Sequence, residues 1–386
     1  MKDKAHDLYY RDKFIHYGHN KSKVWSMVNE ISKRKRKRQS CIQSMKNDKG
    51  VTLQNKLDIA NCMNKHFSTV GERMAAEFNS QKHNIKDPLS YITKTVENNF
   101  YLPRTNTAEI MELILKLLVN KSCGYDLISN RVLKATIETI CPHIVYLFNL
   151  CIDQGIFPDP LKMAQVIPIF KGGDKEDPSS YRPISLLPAI GKLFEKLISK
   201  KLLDFFNKYD LLCKEQFGFR SGFSTEYAIH DIYEKLLRNF DQSQNSCAIF
   251  LDLAKAFDSV SHPILLRKLY KYGIRGNAFN LLESYLSNRT QFVKVNNVCS
   301  SLAYIKYGVP QGSIIGPLLF LIFINDLPNA TNLFMKLFAD DTFLCAQNKC
   351  LQSLEREVNR ELKKVNTWLA SNQLTLNISK SKCVII

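Results

Sequence analysis

Residues 338–344 read Phe338-Ala339-Asp340-Asp341-Thr342-Phe343-Leu344, and the paired acids inside that apolar run decide how the chain around them is read. Two ionised carboxylates side by side repel each other and lose hydration where apolar neighbours crowd them. A divalent cation compensates such charge directly, and hard oxygen ligands suit Mg2+. The pattern predicts a hairpin over 336–344 with both acids at its tip. Another acid stands in an equally costly place: Asp252 follows Cys247-Ala248-Ile249-Phe250-Leu251, a continuous apolar run of strand length. One acid ending a strand and two at a neighbouring hairpin tip could hold a pair of metals ~3.5–4 Å apart, the spacing that clamps the attacking and leaving oxygens of phosphoryl transfer. Taken singly, an Asp-Asp turn or an Asp after a strand is more often a turn or cap residue.

Outward from these acids, helices and short strands alternate. Pro317 stands at a helix start, and 318–324 is apolar all round, as a buried helix is. Residues 291–296 and 305–309 read as strands, 351–369 as an amphipathic helix and 374–376 as a strand. Ser261 and Pro263 open a helix that closes at Gly273. Upstream, 166–170 is a strand running into the turn Lys171-Gly172-Gly173-Asp174. Residues 190–209 form a helix with Leu193, Phe194, Leu197 and Ile198 inside, and Ser224 caps the next one. Thr107 caps a helix with Ile110, Leu113, Ile114, Leu117 and Leu118 on its apolar face, ended by Gly124; a helical stretch over 132–152 breaks at Pro142. The pattern argues for an α+β fold with helices packed on one face of a sheet. Two regions are expected: a basic, partly helical linker over 1–102 and the main domain over 103–386. In the linker, 8–31 reads as a helix with Trp25, Val28 and Ile31 on one stripe, and 57–70 as another.

The 386 residues carry 54 Lys and Arg against 36 Asp and Glu, a net charge of +18. Such an excess favours a polyanionic partner, nucleic acid before acidic membrane. Lys33 to Arg38 is an unbroken run of cations, either a nuclear-localisation or nucleic-acid patch or a solvated linker. The longest nearly apolar run, 314–324, contains Gly316 and Pro317 and is far short of the ~20 residues that span a bilayer. No membrane partner is expected, and the N-terminus has no apolar stretch of a secretory signal. The 11 Cys are scattered without any Cys-x-x-Cys pair, which argues against a zinc site or disulfide framework and for an intracellular protein.

Longer stretches carry a family resemblance. Phe250-Leu251-Asp252-Leu253-Ala254-Lys255-Ala256-Phe257-Asp258, Tyr307-Gly308-Val309-Pro310-Gln311-Gly312, Phe338-Ala339-Asp340-Asp341 and Asn377-Ile378-Ser379-Lys380 resemble, in order, the four palm motifs of reverse transcriptases. Pro168-Ile169-Phe170-Lys171, Tyr181-Arg182-Pro183-Ile184 and Gln216-Phe217-Gly218-Phe219-Arg220 are similar to fingers segments of the non-LTR retrotransposon branch, of the jockey-like kind. The resemblance covers roughly 103–386 and is strictest over about 155–386.

It implies a right-hand polymerase with fingers and an antiparallel palm sheet, acting on an RNA template, a DNA primer and dNTP. Asp252, Asp340 and, less directly, Asp341 would hold two Mg2+ ions, with Mn2+ as a substitute. Phe257 would stand under the sugar and block a 2′-hydroxyl. Gln311 would border nucleotide and template, Lys171 and Arg182 would grip the triphosphate, and Arg220 would touch template backbone or nucleotide. Lys380 would protonate the leaving pyrophosphate. Asp258 reads as a turn cap rather than a catalytic group. The family pattern often has Trp at Leu161, Gly at Leu127 and Thr at Ser381. With Ile386 soon after Lys380, the sequence is expected to be a fragment of a longer element, thumb absent. The alternative is a thumb-less nucleic-acid-binding remnant without polymerase activity. An RNA-templated RNA polymerase shares the Asp-Asp logic, but the contexts of Phe257 and Gln311 argue against it. Nuclear action fits target-site priming in the family together with the basic run.

Overall fold

The hairpin carrying the acid pair forms, but only Asp340 stands at its tip; Asp341 already pairs in the strand. In the computed structural model, which describes residues 2–18, 20–32, 42–79 and 86–386, strands Phe334–Phe338 and Asp341–Asn348 pair antiparallel with Asp341 opposite Phe338. Ala339 and Asp340 are therefore the turn, and Ala339 takes a positive φ of 57°.

The second hairpin strand also pairs with Asn245–Leu251, which in turn pairs with Lys382–Ile385, giving a four-stranded antiparallel sheet. Strand residues alternate between faces. Cys247, Ile249, Leu251, Leu344 and Ala346 enter the main core with Leu354 and Trp368 of helix Leu351–Ser371. Ala248, Phe343 and Cys345 point the other way and pack with Ile232 and Leu236 of helix Thr225–Asp241. Helices thus lie on both faces, where one was expected, because strands Asn245–Leu251 and Asp341–Asn348 are buried at consecutive positions.

A separate sheet pairs Tyr181–Leu186 with Ala164–Phe170, which runs parallel to Arg289–Val295; the latter also pairs with Val298–Cys299 and Ala303–Ile305. Helix Gly316–Ile324 is opened by Pro317 and buried from Leu318 to Ile324. Helix Ala189–Lys208 buries Leu193, Phe194, Leu197 and Ile198, and Phe194 stacks on Phe148 at 4.4 Å between ring centroids.

Several local expectations shift. The helix near 107 is capped by Asn106, whose side chain accepts from the Glu109 N–H. It ends at Leu115, well before Gly124, and leaves Leu118 exposed. The stretch after it breaks at Thr136, not Pro142, which sits inside helix Ile137–Gln154. Past the first turn, this proline gives up an i→i−4 hydrogen bond, yet the helix continues through it. Residues 374–376 make only a bridge, Leu376 to Leu253, and the strand comes later at Lys382–Ile385.

The chain divides into two compact units, Met1–Gln43 and Ser44–Ile386, so residues 44–102 belong to the larger body. In the smaller one, 8–31 is two helices, Lys2–Tyr17 and Lys21–Ile31, the second capped by Asn20. Trp25, Val28 and Ile31 are exposed. The cationic run Lys33 to Arg38 lies outside the described residues. Among those described, no helix is long and apolar enough to cross a membrane.

Candidate active site

Seven separated stretches converge on an open cavity of about 590 Å3. Asp252 reaches it from the end of strand Asn245–Leu251 and is held from several sides. Its backbone N–H donates to Ser381 Oγ at 3.2 Å, and its Oδ2 accepts from Asn377 Nδ2 at 2.8 Å. Lys380 Nζ stands 3.9 Å from the same oxygen. Asp340 enters from the hairpin turn. Asp341, one residue on, begins the next strand and lines an adjoining apolar cavity of about 370 Å3 that also touches Asp252 and Lys380.

Burial pushes the Asp340 carboxyl above its ordinary value, and Asp341 and Asp252 push it further. Asp341 is raised by burial and by Asp252. Among the described residues no group of three or more His, Cys, Asp or Glu is gathered so as to hold a metal alone. The donor set still fits Mg2+, which takes one or two protein carboxylates and completes its octahedron with phosphate and water. Asp252 and Asp340 face one cavity, and the Asp252 charge raises the Asp340 pKa against the opposing pull of Arg182.

Cations line the same cavity. Lys171 follows strand Ala164–Phe170 and Arg182 lies on its partner Tyr181–Leu186; both line the cavity. A third, Lys255, was not singled out from sequence. It sits at a positive φ of 49°, and its ammonium lies 3.5 Å from the Ser179 carbonyl. Burial and nearby Lys171 lower its pKa. Neighbouring cations at one cavity make an anion cradle. The sequence signal was faint, one lysine within an otherwise apolar stretch.

Phe257 packs face to face on buried Phe320 at 4.4 Å, with Phe219 edge-on at 6.2 Å. The Val309 N–H donates to its carbonyl at 2.8 Å, tying two motif stretches together. Gln311 also lines the cavity, and its Nε2 donates to Asp258 Oδ1 at 2.8 Å. Asp258 is therefore more than a turn residue: its enclosed carboxylate orients Gln311 while Oδ2 has no partner. Burial raises its pKa, opposed by Gln311, Lys255, Lys171 and Arg182. Gly312 has φ 125°, and a Cβ there would lie 2.5 Å from the Ser185 carbonyl, so this wall requires glycine.

Arg220 is placed elsewhere. Its guanidinium donates to the carbonyls of Cys213 at 2.8 Å and Gln216 at 3.2 Å and lies over the Phe223 ring, bracing its own segment and not lining the cavity. The structure thus brings Asp252, Asp340, Lys171, Arg182, Phe257, Gln311 and Lys380 to one cavity and sets Asp341 and Arg220 beside it.

The family described as reverse transcriptase (RNA-dependent DNA polymerase) matches residues 172–385. The chain is 32% identical over 341 residues to the probable RNA-directed DNA polymerase from transposon BS of Drosophila melanogaster, covering 86% of this chain and 37% of that protein. It is 33% identical over 282 residues to the corresponding probable enzyme from transposon X-element of the same organism, covering 72% and 31%. With the RNA-directed DNA polymerase from mobile element jockey of Drosophila melanogaster it shares 31% identity over 299 residues, 75% of this chain and 32% of that one. The chain spans about a third of the length of these curated relatives.

Proposed function

The chain belongs to the reverse transcriptase (RNA-dependent DNA polymerase) family, and from that membership we propose that its cleft adds deoxynucleotides to a DNA primer along an RNA template. The observation that carries this reading is the gathering of Asp252 and Asp340 with Lys171, Arg182 and Lys255 around one cavity. In this reading the four-stranded sheet is the palm and the sheet bearing Lys171 and Arg182 belongs to the fingers. The catalytic domain is the 103–386 region, with 44–102 packed onto it.

Two Mg2+ ions, or Mn2+, would be held by Asp252 and Asp340 with Asp341 close by. Bound there, they would supply Lewis acidity to the primer hydroxyl and neutralise charge on the triphosphate. The chain's own residues do the remainder. Asn377 and Ser381 fix the Asp252 side chain and backbone toward the cleft. Lys171, Arg182 and Lys255 hold the triphosphate. The Phe257 ring, backed by Phe320, stands where it excludes a 2′-hydroxyl. Gln311, held by Asp258, borders the nucleotide. Lys380 carries a proton at Nζ for the leaving pyrophosphate. Partners are an RNA template, a DNA primer and dNTP, and the setting is intracellular, in the nucleus.

The test is primer extension by the full chain on poly(rA)–oligo(dT), with Mg2+ and then Mn2+, beside Asp340→Ala. Metal-dependent extension that disappears in the variant supports the reading. A hybrid bound with salt-sensitive affinity but never extended overturns it in favour of a nucleic-acid-binding protein without polymerase activity.

A further inference from the structure

Gln216 is 2% exposed, although a buried primary amide is tolerated only where its donors and acceptor find partners. Its partners are unusual. The side-chain Oε1 accepts from the Gly218 N–H at 2.8 Å and from the Ala339 N–H at 2.9 Å. Its Nε2 lies 3.4 Å from the Ala339 carbonyl. One side chain therefore holds both backbone polar groups of the residue immediately before Asp340.

The surrounding backbone makes the same connection. Phe217 N–H donates to Leu337 O, and Leu337 N–H donates to Glu215 O, each at 2.8 Å. A Cβ on Gly218 would lie 2.3 Å from the Ala339 nitrogen, so the two segments touch with no side chain between them. Ala339 and Phe219 both hold positive φ, at 57° and 55°, a conformation that L residues keep only when their surroundings enforce it. Arg220 closes the far end by donating to the Gln216 carbonyl.

We propose that Gln216 is a positioning residue that clamps the hairpin turn and so sets where Asp340 stands in the cleft. This deepens the proposed polymerase reading and rests on it. A two-residue turn with a strained first residue has few other restraints on its tip. Loosening it would let the Asp340 carboxylate sample orientations that do not face Asp252. Because Gln216 does not line the cavity, its loss should act on turnover and metal requirement and leave nucleotide contacts alone.

The experiment compares the full chain with Gln216→Met, which keeps length and removes both polar groups, and with Gln216→Glu, which keeps an acceptor for the two N–H groups. Hydrogen exchange at the Ala339 amide, without metal or substrate, is read beside primer extension. Gln216→Met should exchange at Ala339 at least tenfold faster, lose about tenfold or more in kcat, need more Mg2+ for half-maximal rate, and keep KM for dNTP within about twofold. Gln216→Glu should recover most of the protection and turnover. Unchanged exchange at Ala339, or a loss confined to KM, overturns the proposal. If Gln216→Met does not fold, Gln216→Asn takes its place; its amide is one methylene short, and wild-type exchange and kinetics in that variant overturn the clamp. Should the native chain not extend primers at all, the polymerase reading fails while the exchange measurement still decides the clamp.

Discussion

Lys268 and Asp326 form an ion pair with both side chains fully buried, and its removal can be worked through in numbers. Lys268 Nζ lies 2.6 Å from Asp326 Oδ1 and donates to the Phe323 carbonyl at 2.7 Å. The pair joins helix His262–Lys271 to the end of helix Gly316–Ile324, which carries Phe320 under Phe257. Asp326→Asn keeps the shape and removes the negative charge. The stranded ammonium can at worst shed its proton. Doing so at pH 7 from an ordinary pKa near 10.4 costs about 1.4 kcal/mol per unit, a ceiling of roughly 5 kcal/mol. The Phe323 carbonyl that remains brings the expected loss to about 3 kcal/mol. At pH 9 the ceiling falls to roughly 2 kcal/mol, because the unfolded chain then gains less by protonating the lysine. Urea unfolding at both pH values measures the difference directly. A loss that is equal or larger at pH 9 refutes a buried, charged Lys268 as the cause. Adding Lys268→Met to Asp326→Asn should restore most of the stability, since no charge is then left unpaired.

Other outcomes follow from the cleft and its supports. Phe257→Val should raise ribonucleotide incorporation about tenfold relative to deoxyribonucleotide, within the ~10–200-fold that steric pockets discriminate; single-nucleotide extension with unchanged sugar preference contradicts it. Lys255→Ala removes one charge-assisted contact worth about 1.5–3 kcal/mol, so KM for dNTP should rise roughly tenfold or more while thermal melting barely moves. His262 is held near pKa 4 by burial, with its Nε2 2.7 Å from the Gly308 carbonyl. Above pH 6.5 both states are neutral; between about 6.5 and 4 only the unfolded chain protonates, so stability falls with acid by up to roughly 1.4 kcal/mol per unit. His262→Gln should flatten that slope, and an unchanged slope assigns it to other groups.

Strands and buried helices were legible where one residue type dominates a short window. The apolar runs ending at Asp252 and flanking Asp340 set their strands, and the all-apolar 318–324 set its helix, because burial alone decides such segments. Caps and breaks were harder. Thr107 and Asn106 are both capping types, and only the Asn106 contact to Glu109 N–H chooses between them. Among the cleft residues, the acids stood out because charge in apolar sequence is costly. Lys255, Asp258 and Asn377 did not, because polar residues in turns have ordinary explanations until their partners are seen. Arg220 shows the opposite failure: a cation in a fingers-like segment satisfied its own backbone.

The helix Lys56–Asn79 explains why composition misled about the N-terminal hundred residues. Read alone it is polar, like a linker, yet its polar residues have partners far along the chain. Asn64, nearly buried, donates to the Ser301 carbonyl at 2.7 Å and accepts from Gln291 Nε2 at 3.0 Å. At Gly71 a Cβ would lie 2.4 Å from the Asp258 carbonyl and 2.6 Å from Tyr307 Cβ. That contact is backbone against backbone, so neither side can yield cheaply. Asp258 is the residue whose carboxylate holds Gln311 at the cleft. The helix therefore backs the same wall that Gly308 and Gly312 allow to close, and its polarity reflects a hydrogen-bonded interface rather than a solvated one.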